Sequence, residues 1–234
     1  MDRRPMVVIF DVIETLVSLA SVEARLSEVG FGGEALRLWF PALLRDGFAL
    51  AASGTHKPFP AVAERSLRVV ARQAGVDLDV DAVRHVLDGF TELAPHPDAE
   101  PALQRLRSEG VRVMTLSNGG ADTTRSLLER AGLLEMIELT VSVDQAGFWK
   151  PRPEPYLLAC RTARVDPGAA ALVAVHAWDV HGAARAGLLT GWCARLEGTF
   201  DPGVFDPPTV RGDTLVDVVE GLLEFDGSAE QMPE

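Results

Sequence analysis

The sequence predicts an α/β protein: a parallel sheet flanked by helices, with a helical segment inserted after the first strand. Three observations carry that prediction. The run Met6-Val7-Val8-Ile9-Phe10 is apolar without a break and stops on Asp11, as a strand buried on both faces does. The stretch from Leu16 to about Leu93 carries helical periodicity throughout. From Pro95 onward, strand-like and helix-like segments alternate, which implies a parallel sheet with right-handed crossovers.

The first strand leads from Met6 to Asp11. The helical stretch that follows has three apolar stripes. Leu36, Trp39, Phe40, Leu43 and Leu44 form one, Leu67, Val70, Ala71 and Ala74 another, and Val83, Val86, Leu87 and Phe90 the third. Each follows the i, i+3, i+4, i+7 spacing of a core-facing helix. Gly75 closes one helix, Asp79 and Asp81 stand at the start of the next, and residues 52–58 read as a loop. Beyond Pro95 the expected order is helix 98–109, strand Val111–Leu116, helix Ala121–Ala131, strand Ile137–Val143 and helix Pro155–Ala163. Strand Ala171–Val175, helix Val180–Ala186 and strand Gly191–Leu196 complete it, and Gly110, Gly132 and Gly187 stop helices. Residues 1–16 and 95–226 then make the core, 17–94 a separate cap, and 227–234 a polar, frayed tail.

Length and composition bound the function. The chain has 234 residues, one large domain or two small ones, and 47% hydrophobic residues, enough for a globular core. A formal net charge of −12 argues against a nucleic-acid footprint or an anionic membrane surface as partner. A small anionic substrate is still compatible with a local basic pocket. Cys160 and Cys193 have no paired spacing and read as free, buried thiols of a cytoplasmic protein. Met1-Asp2-Arg3-Arg4-Pro5 leads straight into the first strand, and neither a signal core nor a membrane-spanning stretch is expected.

Asp11, Ser117-Asn118, Lys150 and Asp179 all fall at or just past strand ends. Each has a plain structural reading. Asp11 can start a loop, Ser117-Asn118-Gly119-Gly120 can be a turn, Lys150 can be solvated, and Asp179 can cap the next helix. Together they share one sheet edge, where open α/β sheets bind ligands. The joint chemistry is coherent. A carboxylate can attack as a covalent nucleophile, and a lysine about 4 Å away stabilises its charge by up to ~4 kcal/mol at an effective dielectric of 20. Ser117 and Asn118 can donate to a substrate anion. Asp179 can orient the lysine or help activate a water.

In order and placement, Phe10-Asp11-Val12-Ile13-Glu14-Thr15-Leu16, Leu116-Ser117-Asn118-Gly119, Lys150-Pro151 and Ala177-Trp178-Asp179 resemble the haloacid dehalogenase superfamily. Ser142-Val143-Asp144, Lys150-Pro151, Tyr156 and Ala177-Trp178-Asp179 are most similar to the L-2-haloacid dehalogenases of type II. That resemblance implies a Rossmann-like core, a helical cap, no cofactor, and hydrolysis of a short halogenated carboxylic acid through an aspartyl ester. A homodimer is implied as well. By position it makes Asp11 the nucleophile, Thr15 its partner, and Ser117, Asn118 and Lys150 the groups that hold nucleophile and substrate carboxylate. Asp179 serves the hydrolytic step, Phe59 and Trp178 wall the substrate carbon, and Tyr156 places a hydroxyl near the pocket.

The departures define further expectations. Superfamily phosphatases carry an aspartate where this chain has Ile13, and an acidic metal ligand where it has Val173-Ala174-Val175-His176. Mg²⁺ then lacks its oxygen ligands, and metal-independent chemistry is expected. The dehalogenases usually carry Tyr, Gly, Arg, Ser and Asn at Ile13, Glu14, Phe40, Ala174 and His176. Phe40 in place of the halide-receiving Arg removes a charged donor, a loss of ~2.7–4 kcal/mol where such donors have been deleted. His176 becomes the candidate to activate water, with Asp179 fixing its tautomer, or to donate to the leaving group. The alternative is that it fills the space of Asn. His181 is expected to be structural or exposed, and His56, His85 and His96 receive no role. Two other readings stay open: hydrolysis of another small carboxylate-bearing electrophile, and a non-catalytic member that binds a small acid.

Overall fold

The computed structural model describes residues 4–227. In chain order the elements are β1 (Val7–Phe10), α1 (Ala20–Glu28), α2 (Ala35–Ala52), α3 (Phe59–Ala74), α4 (Val80–Asp88) and α5 (Ala99–Ser108). They continue with β2 (Arg112–Ser117), α6 (Ala121–Arg130), β3 (Leu139–Ser142), α7 (Val143–Ala146), α8 (Pro153–Ala163) and β4 (Ala170–Ala174). The chain ends in α9 (Ala177–Arg185), β5 (Leu189–Cys193), β6 (Val210–Gly212) and α10 (Leu215–Glu224).

The six strands form one sheet in the order β3-β2-β1-β4-β5-β6, every neighbouring pair parallel. Alternation of side chains across the pleat divides β1 between two cores. Val8 and Phe10 pack into one, Val7 and Ile9 into the other. Both faces are therefore dry, which is why the strand reads as an unbroken apolar run. The strand order reverses between β1 and β4, so a crevice opens beyond their carboxyl ends.

Helices α1 to α4 are inserted between β1 and α5. Their apolar stripes share a continuous core with one sheet face, running from Val8 and Phe10 to Trp39, Leu43, Leu67 and Val86. Ala74, expected on a buried stripe, is exposed, because it is the last residue of α3 before the left-handed Gly75 (φ 71°). Asp79 caps α4 by accepting from the Ala82 N–H at 2.7 Å. Trp149 joins insert to sheet. Its indole donates to the Lys57 carbonyl at 2.8 Å and its ring stacks on Phe59 at 5.8 Å. Gly47 of α2 lies against that ring so closely that a Cβ there would sit 2.3 Å from it.

Other boundaries differ from expectation. Helix α9 begins at Ala177 rather than Val180, which places Asp179 inside its first turn. β5 ends at Cys193 rather than Leu196, because the chain turns at Ala194, whose carbonyl accepts from the Gly198 N–H at 2.8 Å. β6 and α10 were not anticipated. A reciprocal cap in which Thr214 and Asp217 bond each other's backbone starts α10. Of the expected frayed tail, 228–234 lie outside the described residues. Among the described residues no helix is long and apolar enough to cross a membrane, and Cys160 and Cys193 are free and buried.

Candidate active site

Asp11 is the first residue past β1, and its N–H still donates to Val173 at 3.0 Å, so the β1–β4 junction fixes its backbone. The chain then folds back tightly, with Leu16 N–H bonded to the Val12 carbonyl at 2.9 Å and Glu14 N–H to that of Val17 at 2.8 Å. That turn returns Thr15 to Asp11: its hydroxyl donates to Oδ2 at 2.7 Å and accepts from the Val175 N–H at 3.2 Å.

Lys150 is the hub. Its side chain is completely buried, and its ammonium donates to Asp11 Oδ1 at 2.9 Å, Asp179 Oδ2 at 2.5 Å and the Leu116 carbonyl at 3.1 Å. All three donors are used. Its backbone N–H donates to Asn118 Oδ1 at 3.1 Å, which ties the loop after β2 to the same point. Burial disfavours the ammonium, but the carboxylates of Asp11 and Asp179 outweigh it, so its pKa is raised. Burial raises the Asp179 carboxyl, Lys150 pulls it down, and Asp11 pushes it up again; the net direction is upward.

Tyr156 is not beside a pocket, as expected, but fully buried behind Asp179. Its hydroxyl donates to Asp179 Oδ1 at 2.6 Å. Burial and the Asp179 charge hold that phenol well above its usual range, so it remains a donor. With one oxygen on Lys150 and the other on Tyr156, fully buried Asp179 is committed to orienting the lysine. No face of it is open to a water.

The turn after β2 is equally fixed. Ser117 Oγ accepts from the Gly119 N–H at 2.9 Å, and Ser142 donates to the Gly119 carbonyl at 2.8 Å. A cavity of about 220 Å³ opens here between insert and sheet. Ser117, Gly119 and Gly120 line it at the start of α6, with Thr123 and Thr124, and Val12, Ile13, Phe59, Leu87, Phe90 and Leu127 add apolar wall. Asp11 is not a wall residue, although its neighbours Val12 and Ile13 are. Phe40 is not one either: it lies buried in α2, in the main core. Trp178 is half-buried outside this cavity, stacked on His176 at 5.4 Å and tilted against Phe48 at 4.8 Å. Its ring centroid is 5.8 Å from the Lys150 ammonium.

His176 does not pair with Asp179, because both oxygens of that carboxylate are taken. Its Nε2 instead faces Glu14 Oε2 at 3.0 Å, and its Nδ1 lies 3.9 Å from Glu197 Oε1. Burial opposes a charged ring, but the Glu14 bond and the field of Asp11 outweigh it, so its pKa is raised above 6.5. Glu197 also accepts from the Ala177 N–H at 3.1 Å, anchoring the start of α9. The Glu14 and Glu197 partnerships left no sequence signal of their own; each is created by a turn. His181 is structural, its Nδ1 accepting from the Asp206 N–H at 3.0 Å. His56, given no role, bonds Asp144 at 2.9 Å across the insert and the sheet domain.

The family model of haloacid dehalogenase-like hydrolases matches residues 5–187. An (S)-2-haloacid dehalogenase of Pseudomonas sp. (strain YL) is 30% identical over 224 residues, covering 95% of this chain and 96% of that one. The crystal structure of the L-2-haloacid dehalogenase RSc1362 superposes with a TM-score of 0.88 at 28% identity, covering 94% of this chain and 99% of that one. A dehalogenase solved with an intermediate complex superposes with a TM-score of 0.83 at 25% identity, covering 92% and 95%.

Proposed function

The chain belongs to the haloacid dehalogenase-like hydrolases, and we propose that it hydrolyses a short 2-halo acid to a 2-hydroxy acid through an ester on Asp11. The observation that carries this reading is the lysine bridge. Lys150 holds Asp11 at 2.9 Å and is itself held by Asp179 at 2.5 Å, in a site closed to water on that side. One Asp11 oxygen attacks C2 of the substrate, the carbon–halogen bond breaks and the halide departs with the bonding pair. The Lys150 ammonium then polarises the ester carbonyl, and Thr15 fixes the other oxygen. Water adds to that carbonyl, one of its protons leaves with the 2-hydroxy acid and the other passes to solvent, and Asp11 is regenerated as the carboxylate. The Ser117 hydroxyl and the Asn118 NH₂ are the donors for the substrate carboxylate. Ile13 and Phe59 supply apolar wall beside it. Names of similar proteins support the substrate class: (S)-2-haloacid dehalogenase recurs among them.

Isotope placement tests this reading. With enzyme in excess over 2-chloropropionate in ¹⁸O water, the first product is expected unlabelled and the peptide carrying Asp11 labelled. Label in the first product, with none in that peptide, rejects covalent catalysis by Asp11.

A second reading is favoured by one feature. No arginine or lysine lines the cavity beside Ser117, so a departing anion meets no cation there. A C–O electrophile carrying a carboxylate, whose oxygen stays attached or leaves protonated, is the alternative. A panel of 2-halo acids scored for halide release separates the two. The proposal also includes a metal-independent enzyme. Lys150 already occupies the space between Asp11 and Asp179, and Ile13 offers no oxygen ligand. Buried free thiols at Cys160 and Cys193 agree with a cytoplasmic location. Homodimerisation is carried over from the resemblance alone.

A further inference from the structure

His176 stands at the N-terminal boundary of α9, with charged groups facing it from several segments. Glu14, in the turn after β1, faces its Nε2 at 3.0 Å. Glu197, after β5, lies 3.9 Å from its Nδ1. Asp11 at the end of β1 and Asp179 in α9 act on it through space, and Trp178 stacks on its ring at 5.4 Å. Both ring nitrogens are thus turned toward carboxylates. A carboxylate only accepts, so this arrangement matches a ring that carries hydrogen on each nitrogen. A water-activating base needs a bare nitrogen facing the substrate, and Nε2 is engaged by Glu14 while Nδ1 is turned toward Glu197.

Glu14 reaches this position at a conformational cost. Its backbone is left-handed, φ 68°, which a side chain other than glycine's rarely adopts. Such strain persists where surrounding structure enforces it and is a starting point for a functional hypothesis. Here the left-handed turn lets one residue serve both the Glu14–Val17 backbone bond at 2.8 Å and the His176 ring.

We propose that Glu14 is a positioning residue that holds the His176 ring as a cation beside Asp11, where it offsets the negative charge an anionic substrate brings. The inference rests on the reading of Asp11 as the reactive carboxylate. Asp11, Asp179, Glu14 and Glu197 put four carboxylates around this corner, with Lys150 and His176 as the cations that face them. Arg195, which bonds the Thr15 carbonyl at 2.8 Å, is already paired with Asp98, so removing the imidazolium charge leaves Lys150, itself held by Asp11 and Asp179, to meet an incoming acid. His176 acts here through its charge. Its N–H groups are committed to Glu14 and turned toward Glu197, so it is neither general base nor hydrogen-bond donor to the leaving group.

The test uses histidine labelled with ¹³C and ¹⁵N in the full-length chain, with the His176 signal assigned from a His176→Gln variant. Its titration is followed in the parent, in Glu14→Gln and in Glu14→Gly. The parent midpoint is expected above 6.5, and lower by about one unit, tenfold in proton affinity, in both variants. The alkaline limb of kcat/KM for a 2-halo acid is expected to move down by the same interval. At pH values low enough to protonate His176 in every form, the variants should recover to within about twofold of the parent, because the charge is then restored. Glu14→Gly relieves the left-handed strain yet must still show the shift, which separates the charge from the loop's conformation. An unchanged His176 midpoint in both variants, or an activity deficit of equal size at every pH, overturns the proposal. The titration needs no substrate. A shifted midpoint in a chain that releases no halide from any 2-halo acid would therefore fault the dehalogenase reading and leave the Glu14–His176 pair standing.

Discussion

The Lys150 ammonium is fully buried and donates to three protein oxygens, and its stability depends on partners that depend equally on it. Deleting one member of a buried ion-pair cluster strands the others, at ~3–5 kcal/mol. Lys150→Met is therefore expected to abolish turnover and to lower unfolding free energy by about that amount near neutrality. The sign of its pH dependence follows from Asp179, which burial already raises. Without the lysine the stranded carboxylates take up protons more readily when folded than when unfolded. The variant's deficit should shrink as pH falls, and urea titrations at several pH values measure it. Tyr156 acts one step further out. Tyr156→Phe removes a hydrogen bond to a charged group, worth about 1.5–3 kcal/mol. Because it acts through Asp179 and Lys150, kcat is expected to fall while KM changes little. Asp11 and Ser117 were legible in the sequence because strand ends announce themselves by where an apolar run stops, whereas Lys150, beyond α7, and Asp179, in the first turn of α9, were legible through the motifs they share with the family. Tyr156 was legible as a residue but not in its role: which wall of α8 its hydroxyl faces is set by how that helix rolls on the sheet. The His176 partner was misread for a related reason, since nearness in sequence to Asp179 says nothing of which carboxylate has a free oxygen.

At the scale of elements, α2 packs tightly on the segment before Lys150. Gly47 admits the Trp149 ring, and the neighbouring residue is Lys150. Gly47→Ala would force helix and ring apart, and overpacking of this kind costs about 1–3 kcal/mol. The expected outcome is a lower urea midpoint with an unchanged m-value, together with reduced kcat from a displaced Lys150. Unchanged stability would show that the ring swings aside freely. The same scale explains which elements were read from sequence. Long stripes such as Leu67, Val70 and Ala71 carry a strong period, and strands buried on both faces carry an apolar run. β6 has three residues, none buried, and so no pattern. α10 is introduced by Thr214 and Asp217, a cap with Asp where the usual signature has Glu or Gln.

Across the whole molecule, the paired ammonium at Lys150 makes a strong prediction about metals. Exhaustive EDTA treatment is expected to leave halide release intact, and phosphomonoesters are expected to be untouched. Recovery of a lost activity by Mg²⁺ would contradict both. Acid sensitivity has its own source. Arg105 holds the Glu109 carboxyl below its ordinary value of 4.5, and Arg112 and Arg152 do the same for Glu138 and Glu154. A carboxyl depressed in the folded state contributes stability above its unfolded pKa, lost as pH falls through the folded one. Stability should therefore decline below about pH 4.5. These pairs are largely solvent-exposed, so the decline should be shallow and weakened further by salt. Thermal melts between pH 3 and 6 at two ionic strengths measure it.

The sequence by itself determined the class of fold, the strand-end placement of Asp11 and Ser117, and the helical character of residues 17–94. Each is a local property, written in periodicity and in where apolar runs end. Tertiary structure alone decided the rest: that Lys150 bridges two carboxylates, that Tyr156 supports Asp179 from behind, that Phe40 is core, and that Glu14 rather than Asp179 holds His176. Those contacts join residues from different strands and turns. Their partners are chosen by the sheet's strand order and by competition for buried oxygens, and neither is encoded in the spacing of residues along the chain.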